Sequence, residues 1–351
     1  MESITIHMPD DFHVHLRSGK MLKTVLPFTS EVFARAVVMG NLPKPITTAA
    51  DITKYRKEIL TNLKGKEENF KPIMSVMLVK KTTPELIQEA YGAGAHVLKL
   101  IPSNTSTLSA HGIPLQKLEK YYPVLEMAQK LEMIFSCHFE QATDEKGHPI
   151  PALQREQAAL PYLEKIAHKF PALNIVAEHA STKELITLVN KLPHNVAATL
   201  TVHHALITHD DMSHLNGVIK DPFLYCNPIA KREHDCEAVI EAMVSGNPKY
   251  FFGSDSAPHL IKEKESANPP AGIFSAPIAL PMLTEIFERK NALEKLENFV
   301  SFFGAKFYRL PINEHTLTLI KSPWTVPAEI DGIKIFLGGH TLSWQLKAAR
   351  I

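Results

Sequence analysis

The sequence is poor in features that would assign it to several specialised classes of protein. It has no apolar run long enough to span a bilayer, and its first residues lack the basic and apolar segments of a secretory signal. Charge of neither sign is in excess, since 38 Lys and Arg stand interspersed among 37 Asp and Glu. This balance argues against nucleic acid or an anionic membrane as a partner. We therefore expect a cytoplasmic protein that acts on a small molecule.

Cysteine is also scarce, and histidine is abundant. The three cysteines, Cys137, Cys226 and Cys236, are an odd number without the spacing of a metal knuckle. They argue against a disulfide framework and for a reducing compartment. The 18 histidines are many for 351 residues, and their positions relative to the predicted strands carry the functional argument.

Short β-branched runs alternate with helical patterns along the chain. Eight strands are predicted, at residues 11–16, 36–39, 73–79, 97–101, 133–138, 174–178, 196–200 and 250–253. Eight βαβ-type units favour an α/β fold with a closed (β/α)8 TIM barrel, and a doubly wound open sheet is the alternative. No repeat or linker marks a boundary, so we predict a single domain over residues 1–351.

A small peripheral β element is predicted from the terminal segments. Residues 334–345 alternate around Gly338 and Gly339, which is typical of a hairpin. We expect this hairpin to pair with residues 4–7 outside the barrel.

Two histidines lie at the end of the first predicted strand. Side chains alternate along a strand, so the rings of His13 and His15 point to the same side, here the barrel interior. Two imidazoles held together favour a bound cation. Taken alone, this pair fits chance or core packing equally well.

Other ionisable residues follow four more predicted strands, where active sites of this fold are built. Lys99 could instead extend its amine to solvent, His138 could be a core histidine with its hydrogen bonds satisfied, and Asp255 could cap a helix. Together with His179 and the first two histidines, however, they would bury much polarity at high cost without a metal or partners.

Five segments resemble the motifs of class II dihydroorotases, in the same order and over essentially the whole chain. They are DDFHVHLR at 10–17, KLIP at 99–102, AEH at 177–179, YCNPI at 225–229 and GSDSAPH at 253–259. That family of amidohydrolases interconverts (S)-dihydroorotate and N-carbamoyl-L-aspartate in pyrimidine biosynthesis. The resemblance also implies a homodimer.

The resemblance implies two zinc ions and a modified lysine. His13, His15 and Asp255 would bind the first zinc, His138 and His179 the second, and a carboxylated Lys99 would bridge both. A free lysine, with a pKa of about 10.4, is a cation, whereas its carbamate is an anion with two oxygen ligands. Carbon dioxide is therefore an implied cofactor beside two Zn²⁺.

Zinc chemistry explains why these residue types are needed. A bound zinc lowers the pKa of water to about 7 and polarises an amide carbonyl. The carboxylate of Asp255 could then accept a proton and return it to the leaving nitrogen, so Asp255 is the predicted catalytic residue.

Substrate recognition is predicted from residues that are not metal ligands. Arg17 lies two residues beyond His15, and its planar fork suits the carboxylate of both substrates, although a surface salt bridge is the alternative. The resemblance adds Asn41 and His259 to this carboxylate site. The segment at 103–111 is small and polar, as a mobile lid would be, and the resemblance implies that its Ser106 and Thr107 reach the substrate. An ordinary surface loop is the alternative for that segment.

The chain departs from the family pattern at several positions. They are Ser18 for an acidic residue, Gly40 for proline, Phe139 for glycine, Val202 and His203 for a Pro-Gln pair, and Asn227 for a leucine that touches the substrate ring through its backbone. None removes a predicted metal ligand, but all bear on the exact substrate.

Three other functions remain open at this point. Another cyclic amidohydrolase, acting on a hydantoin, a dihydropyrimidine or allantoin, would share the metals but need no carboxylate site. A catalytically silent barrel would serve as an assembly partner and would have lost a ligand. A mononuclear deaminase would not use Lys99 as a bridge.

Overall fold

The computed structural model describes residues 2–63, 70–214 and 218–347. Eight parallel strands form one sheet, in which each strand pairs with the next along the chain. They are β2 Asp10–Val14, β3 Arg35–Val38, β4 Lys71–Met77, β5 Ala95–Leu100, β6 Ile134–Cys137, β7 Asn174–Ala177, β8 Val196–Leu200 and β9 Tyr250–Phe252. A bridge between Val14 and Ser256 brings the first strand beside the segment that follows the last. The predicted (β/α)8 barrel is confirmed, and the open-sheet alternative is wrong.

Helices connect the strands and surround the barrel. The α-helices are α1 Gly19–Ser30, α2 Ala49–Asn62, α3 Pro84–Gly92, α4 Tyr122–Lys130, α5 Arg155–Lys169, α6 Lys183–Lys191, α7 Val202–Leu206, α8 His209–Met212, α9 Glu233–Val244, α10 Ile261–Lys264, α11 Ala279–Arg289 and α12 Phe303–Phe307. Short 3₁₀ turns occur at Leu115–Tyr121, Ala152–Gln154, Pro222–Leu224, Ala276–Ile278 and Leu293–Lys295, and a π-helical turn at Asn298–Phe302. None of the helices described is long and apolar enough to cross a membrane.

An apolar cluster fills the amino-terminal end of the barrel interior. Phe12 packs there with its ring centroid 4.6 Å from that of Tyr308 and 5.2 Å from that of Phe251. Helix α12 lies against this cluster so closely that a Cβ on Gly304 would lie 2.1 Å from the Phe12 ring. The polar side chains of the barrel interior therefore lie at the opposite end, where the strands finish.

An irregularity in β2 sets the direction of the two histidines. The register between β2 and β3 shifts between Asp11 and Val14, which adds one residue on β2. Strict alternation from the inward-facing Phe12 would turn His13 out of the barrel. The extra residue reverses the alternation, as a β-bulge does, and both His13 and His15 reach the interior site.

The peripheral sheet differs from the predicted pairing. Its antiparallel order is β1 Ser3–His7, β10 Thr316–Thr325 and β13 Thr341–Leu346. The amino-terminal strand pairs with β10, and only β13 lies in the segment predicted as a hairpin. A short hairpin does form, but between β11 Glu329–Ile330 and β12 Ile333–Lys334, before the predicted turn. Strand β10 was not predicted because Pro323 interrupts its alternation of apolar and polar residues. The register with β13 shifts at the same point.

Candidate active site

His13, His15 and Asp255 meet where the first strand of the barrel faces the segment after the last. The Asp255 backbone N–H donates to the His13 carbonyl at 2.8 Å, and the His15 N–H donates to the Ser256 carbonyl at 3.0 Å. Asp255 Oδ1 lies 3.4 Å from His13 Nε2 and 3.1 Å from His15 Nε2. These three ligand atoms lie within 4.8 Å of one another, so one metal ion fits among them.

A second pair of imidazoles lies next to this group, with the His179 ring centroid 5.1 Å from that of His13. His138 Nδ1 lies 3.0 Å from His179 Nε2, and His138 Nε2 lies 2.8 Å from Glu140 Oε2. Because the carboxylate of Glu140 accepts from Nε2, it leaves the other nitrogen of His138 free to act as a ligand. Burial, with His138 nearby, lowers the pKa of His179 well below its usual value. His179 is therefore neutral, which is the form that binds metal.

Strained backbone accompanies two of these residues. His179 has φ of 41° and Asp255 has φ of 44°, a left-handed region that disfavours non-glycine residues. Such conformations persist only where surrounding structure enforces them, and they concentrate at functional sites.

Lys99 lies on β5 with its amine completely buried. Its side chain has 0% exposure, and Nζ has no hydrogen-bond partner within the described chain. Burial lowers the pKa of this amine, against the opposing effect of Glu178. Since an unpaired buried ammonium is costly, the orphaned nitrogen and the surrounding imidazoles fit a lysine that is modified and metal-bound.

Glu178 orients the His13 ring through the nitrogen that does not face Asp255. Its Oε2 accepts from His13 Nδ1 at 2.7 Å and from the Thr199 hydroxyl at 2.6 Å, and its Oε1 accepts from Ser136. Burial raises the pKa of Glu178, but His13 and Lys99 outweigh burial and bring it down to about 2. The prediction from sequence included Glu178 in a motif but gave it no role. An acidic residue beside a predicted ligand at a buried strand end was the available signal.

His203, Cys226 and His204 form a further buried group whose ligand atoms lie within 4.8 Å of one another. His204 has both ring nitrogens engaged, since Nε2 lies 2.8 Å from the Pro228 carbonyl and Nδ1 lies 2.8 Å from a threonine hydroxyl. Neither ring nitrogen of His203 has a hydrogen-bond partner among the residues described, and its nearest carboxylate contact is Asp255 Oδ2, 4.0 Å from Nε2. The engaged His204 makes this group a poorer metal site than the one at Asp255.

Arg17 and His259 meet beside this site. Arg17 Nη2 lies 2.9 Å from His259 Nε2, and Arg17 Nε donates to the Pro258 carbonyl at 3.1 Å. Burial lowers the pKa of Arg17 to about 10 and that of His259 to about 2. Arg17 is thus a cation that donates to a neutral His259, which is a suitable pair for a carboxylate.

The segment at 103–111 contacts the loop that carries Ala271. The Thr107 hydroxyl donates to the Ala271 carbonyl at 3.1 Å and accepts from its N–H at 3.0 Å. Asn41 Nδ2 donates to the Thr107 carbonyl at 3.5 Å. By contrast, the Ser106 backbone bonds the Ser109 hydroxyl within its own segment, and among the residues described the half-buried Asn227 side chain makes no hydrogen bond.

The remaining departures from the family pattern lie around the site without displacing a predicted ligand. A Cβ on Gly40 would lie 3.0 Å from Ile46 Cβ. Phe139 is buried in the main core, Val202 is buried at the start of α7, and Ser18 is exposed before α1.

Comparisons with known proteins agree with this geometry. No protein-family model matches the chain. A dihydroorotase of Nitrosococcus oceani is 41% identical over 350 residues, which cover 98% of this chain and 99% of that protein. The crystal structure of dihydroorotase from Saccharomyces cerevisiae, in complex with 5-fluoroorotic acid, matches with a TM-score of 0.91 and 34% identity, covering 99% of each chain. The dihydroorotase structure from Campylobacter jejuni matches with a TM-score of 0.84 and 34% identity, covering 99% of this chain and 98% of that one. With that identity over its whole length, the chain belongs to the dihydroorotase family.

Proposed function

We propose that the chain interconverts (S)-dihydroorotate and N-carbamoyl-L-aspartate at a binuclear zinc centre of the class II type. The observation that carries this proposal is a cluster of metal-ligating atoms beside a cationic pair. Asp255 lies within 3.4 Å of two imidazoles, and Arg17 contacts His259, four residues after Asp255 in the same segment. Hydrolysis of a cyclic amide needs the metal-ligating cluster, and binding of the substrate carboxylate needs the cationic pair.

The proposed centre uses all six predicted ligands. His13, His15 and Asp255 would hold one zinc, His138 and His179 the other, and Lys99 would bridge them as a carbamate. The neutral Lys99 amine attacks carbon dioxide, so that an N–C bond forms, one C=O electron pair moves to oxygen and the nitrogen releases a proton. The lowered pKa of Lys99 supports this step because only the neutral amine has a free electron pair.

Proton transfer is assigned to Asp255. When bound, the two zinc ions would polarise the amide carbonyl and acidify a water molecule. Burial raises the pKa of Asp255 above its usual value, which makes its carboxylate a better base than an exposed one. Asp255 takes the proton from the attacking water and delivers it to the ring nitrogen as the C–N bond breaks. Ring closure reverses these transfers.

The substrate carboxylate is assigned to Arg17, Asn41 and His259. Arg17 Nη1 has no partner among the residues described, so Arg17 retains donor capacity for an anion, and the donor that Asn41 offers is its Nδ2, now 3.5 Å from the Thr107 carbonyl. Contacts from Thr107 and Ser106 on the 103–111 segment, and from Asn227 at the ring, complete the proposed pocket. Hydantoins and dihydropyrimidines without a carboxylate would leave these donors unpaired.

Ring opening by purified, zinc-loaded protein tests the proposal, with dihydroorotate as substrate and dihydrouracil and hydantoin as controls. We expect turnover of dihydroorotate and of carbamoyl aspartate, and little of the controls. Equal turnover of dihydrouracil would favour a broader cyclic amidohydrolase. No turnover with both metals bound would favour the silent barrel.

We further propose that residues 1–351 form one domain and that the protein is a cytoplasmic homodimer without nucleic-acid or membrane partners. The resemblance to class II dihydroorotases and the balanced charge support this assignment. Light scattering of the purified chain measures the oligomeric state, and a monomeric mass with full activity would contradict the dimer.

A further inference from the structure

We infer that Lys264 is a positioning residue for substrate binding, whose ammonium group holds together the two loops that border the Arg17–His259 pair. The inference rests on the proposed function. Lys264 touches neither a predicted metal ligand nor the expected position of the substrate, and it would act through the backbone of these loops.

Lys264 is anchored by three backbone carbonyls. It ends the short helix α10 and is only 3% exposed, although its neighbours Lys262 and Glu265 are exposed. Nζ donates to the carbonyls of Tyr225 at 3.0 Å, Pro270 at 3.0 Å and Gly272 at 2.8 Å. A protonated lysine has three N–H donors, so each carbonyl receives one.

These carbonyls belong to the loops that frame the pocket. Pro270 and Gly272 flank Ala271, whose backbone bonds the Thr107 hydroxyl in both directions and whose carbonyl lies 3.1 Å from His259 Nε2. The Gly272 N–H also donates to the Tyr225 carbonyl at 2.9 Å, which joins the two loops. Tyr225 precedes Asn227 by two residues, so both loops lead directly to proposed substrate contacts.

The close packing around Gly272 leaves little room for its loop to move. Its φ is +149°, and a Cβ there would lie 2.5 Å from the Ala257 carbonyl oxygen and 3.0 Å from His259 Cδ2. A shift of this loop would therefore move His259 or break the contact with Thr107. Either change would weaken substrate binding before it altered the metal ligands.

Protonation decides whether Lys264 can make all three bonds. No carboxylate among the described residues forms an ion pair with it, and burial lowers its pKa to about 8. A neutral amine has two donors for three carbonyls, so one bond is lost above that pH. The charged or titratable groups that face it are Arg17, Asp221, Tyr225, Cys226 and His259, and Nζ lies 5.8 Å from the Tyr225 ring centroid. The pKa of Arg17 is about 10, that of Cys226 about 12 and that of His259 about 2, so these three do not titrate near pH 8.

The test compares Lys264→Met with Lys262→Met, which removes an exposed lysine from the same helix. For Lys264→Met we expect KM for dihydroorotate to rise about tenfold or more, kcat to change by less than about twofold, and zinc content to stay unchanged. In the wild-type protein, KM should rise as pH increases through about 8. That rise should persist in Lys262→Met and disappear in Lys264→Met.

An unchanged KM in a folded Lys264→Met protein would overturn the inference, as would a wild-type KM that is flat between pH 7 and 9. If Lys264→Met does not fold, the pH profile of the wild-type protein decides alone. A wild-type protein that binds zinc but does not open dihydroorotate would overturn the proposed function and, with it, this inference. Failure confined to the Lys264 comparisons would leave the proposed function standing.

Discussion

Replacing Glu178 by glutamine should weaken metal binding through the protonation of His13. The carboxylate can only accept, so His13 Nδ1, at 2.7 Å, carries the proton and Nε2 keeps its electron pair toward Asp255. The pKa of Glu178 is about 2, so this arrangement holds across the neutral range. A glutamine can present its NH₂ group to Nδ1 instead. The ring proton then moves to Nε2, which can no longer bind a cation.

The expected loss of metal affinity follows from the contact of Glu178 with a predicted ligand, His13. Loss of such an outer partner typically lowers metal affinity about 10- to 100-fold, which corresponds to about 1.4–2.7 kcal/mol. A hydrogen bond to a charged group contributes about 1.5–3 kcal/mol, so the two estimates agree. Glutamine has nearly the same size and shape as glutamate, and the hydroxyls of Thr199 and Ser136 can rotate to hydrogen-bond its amide.

Competition with a zinc chelator measures the effect. Glu297→Gln is a matched control because Glu297 also lies 2.7 Å from a histidine, His7, but at the partly exposed surface outside the barrel. We expect weaker binding of one zinc in Glu178→Gln and wild-type binding in Glu297→Gln. Wild-type affinity for both zinc ions in a folded Glu178→Gln protein would refute the reasoning.

Three further substitutions test the proposed site. Lys99→Ala should abolish activity because no anion bridges the metals, and metal analysis finding at most one zinc in active wild-type protein would contradict the bridge. Asp255→Asn should keep the fold but lose most turnover, since an amide cannot accept the proton; near wild-type kcat with both zincs bound would exclude Asp255 as the base. Arg17→Met should lower kcat/KM in both directions by a large factor, because losing one partner of a buried charged pair costs about 2–5 kcal/mol, with zinc content intact. Comparable turnover of dihydrouracil and dihydroorotate by the wild-type protein would show that the carboxylate site is misassigned.

The barrel could be predicted because its signal is local. Each of the eight strands is a short, mostly buried run, and all eight predicted starts lie within two residues of the observed ones, with residues 97–101 set against Ala95–Leu100 among them. The peripheral sheet could not be predicted in the same way. Strand β10 carries Pro323, and its pairing with Ser3–His7 joins segments more than 300 residues apart. Nothing local to either segment selects that partner.

The sequence by itself determined which side chains could gather at the carboxyl ends of the strands, because a parallel barrel brings all those ends to one face. Their roles as ligands and substrate contacts remain predictions. Only the tertiary structure determined in which direction these side chains point and which atoms they contact. The bulge in β2 turns His13 inward, Glu178 selects its protonation, and three carbonyls from two loops enclose Lys264. These features depend on contacts between segments distant in the chain, and residue type alone does not specify such contacts.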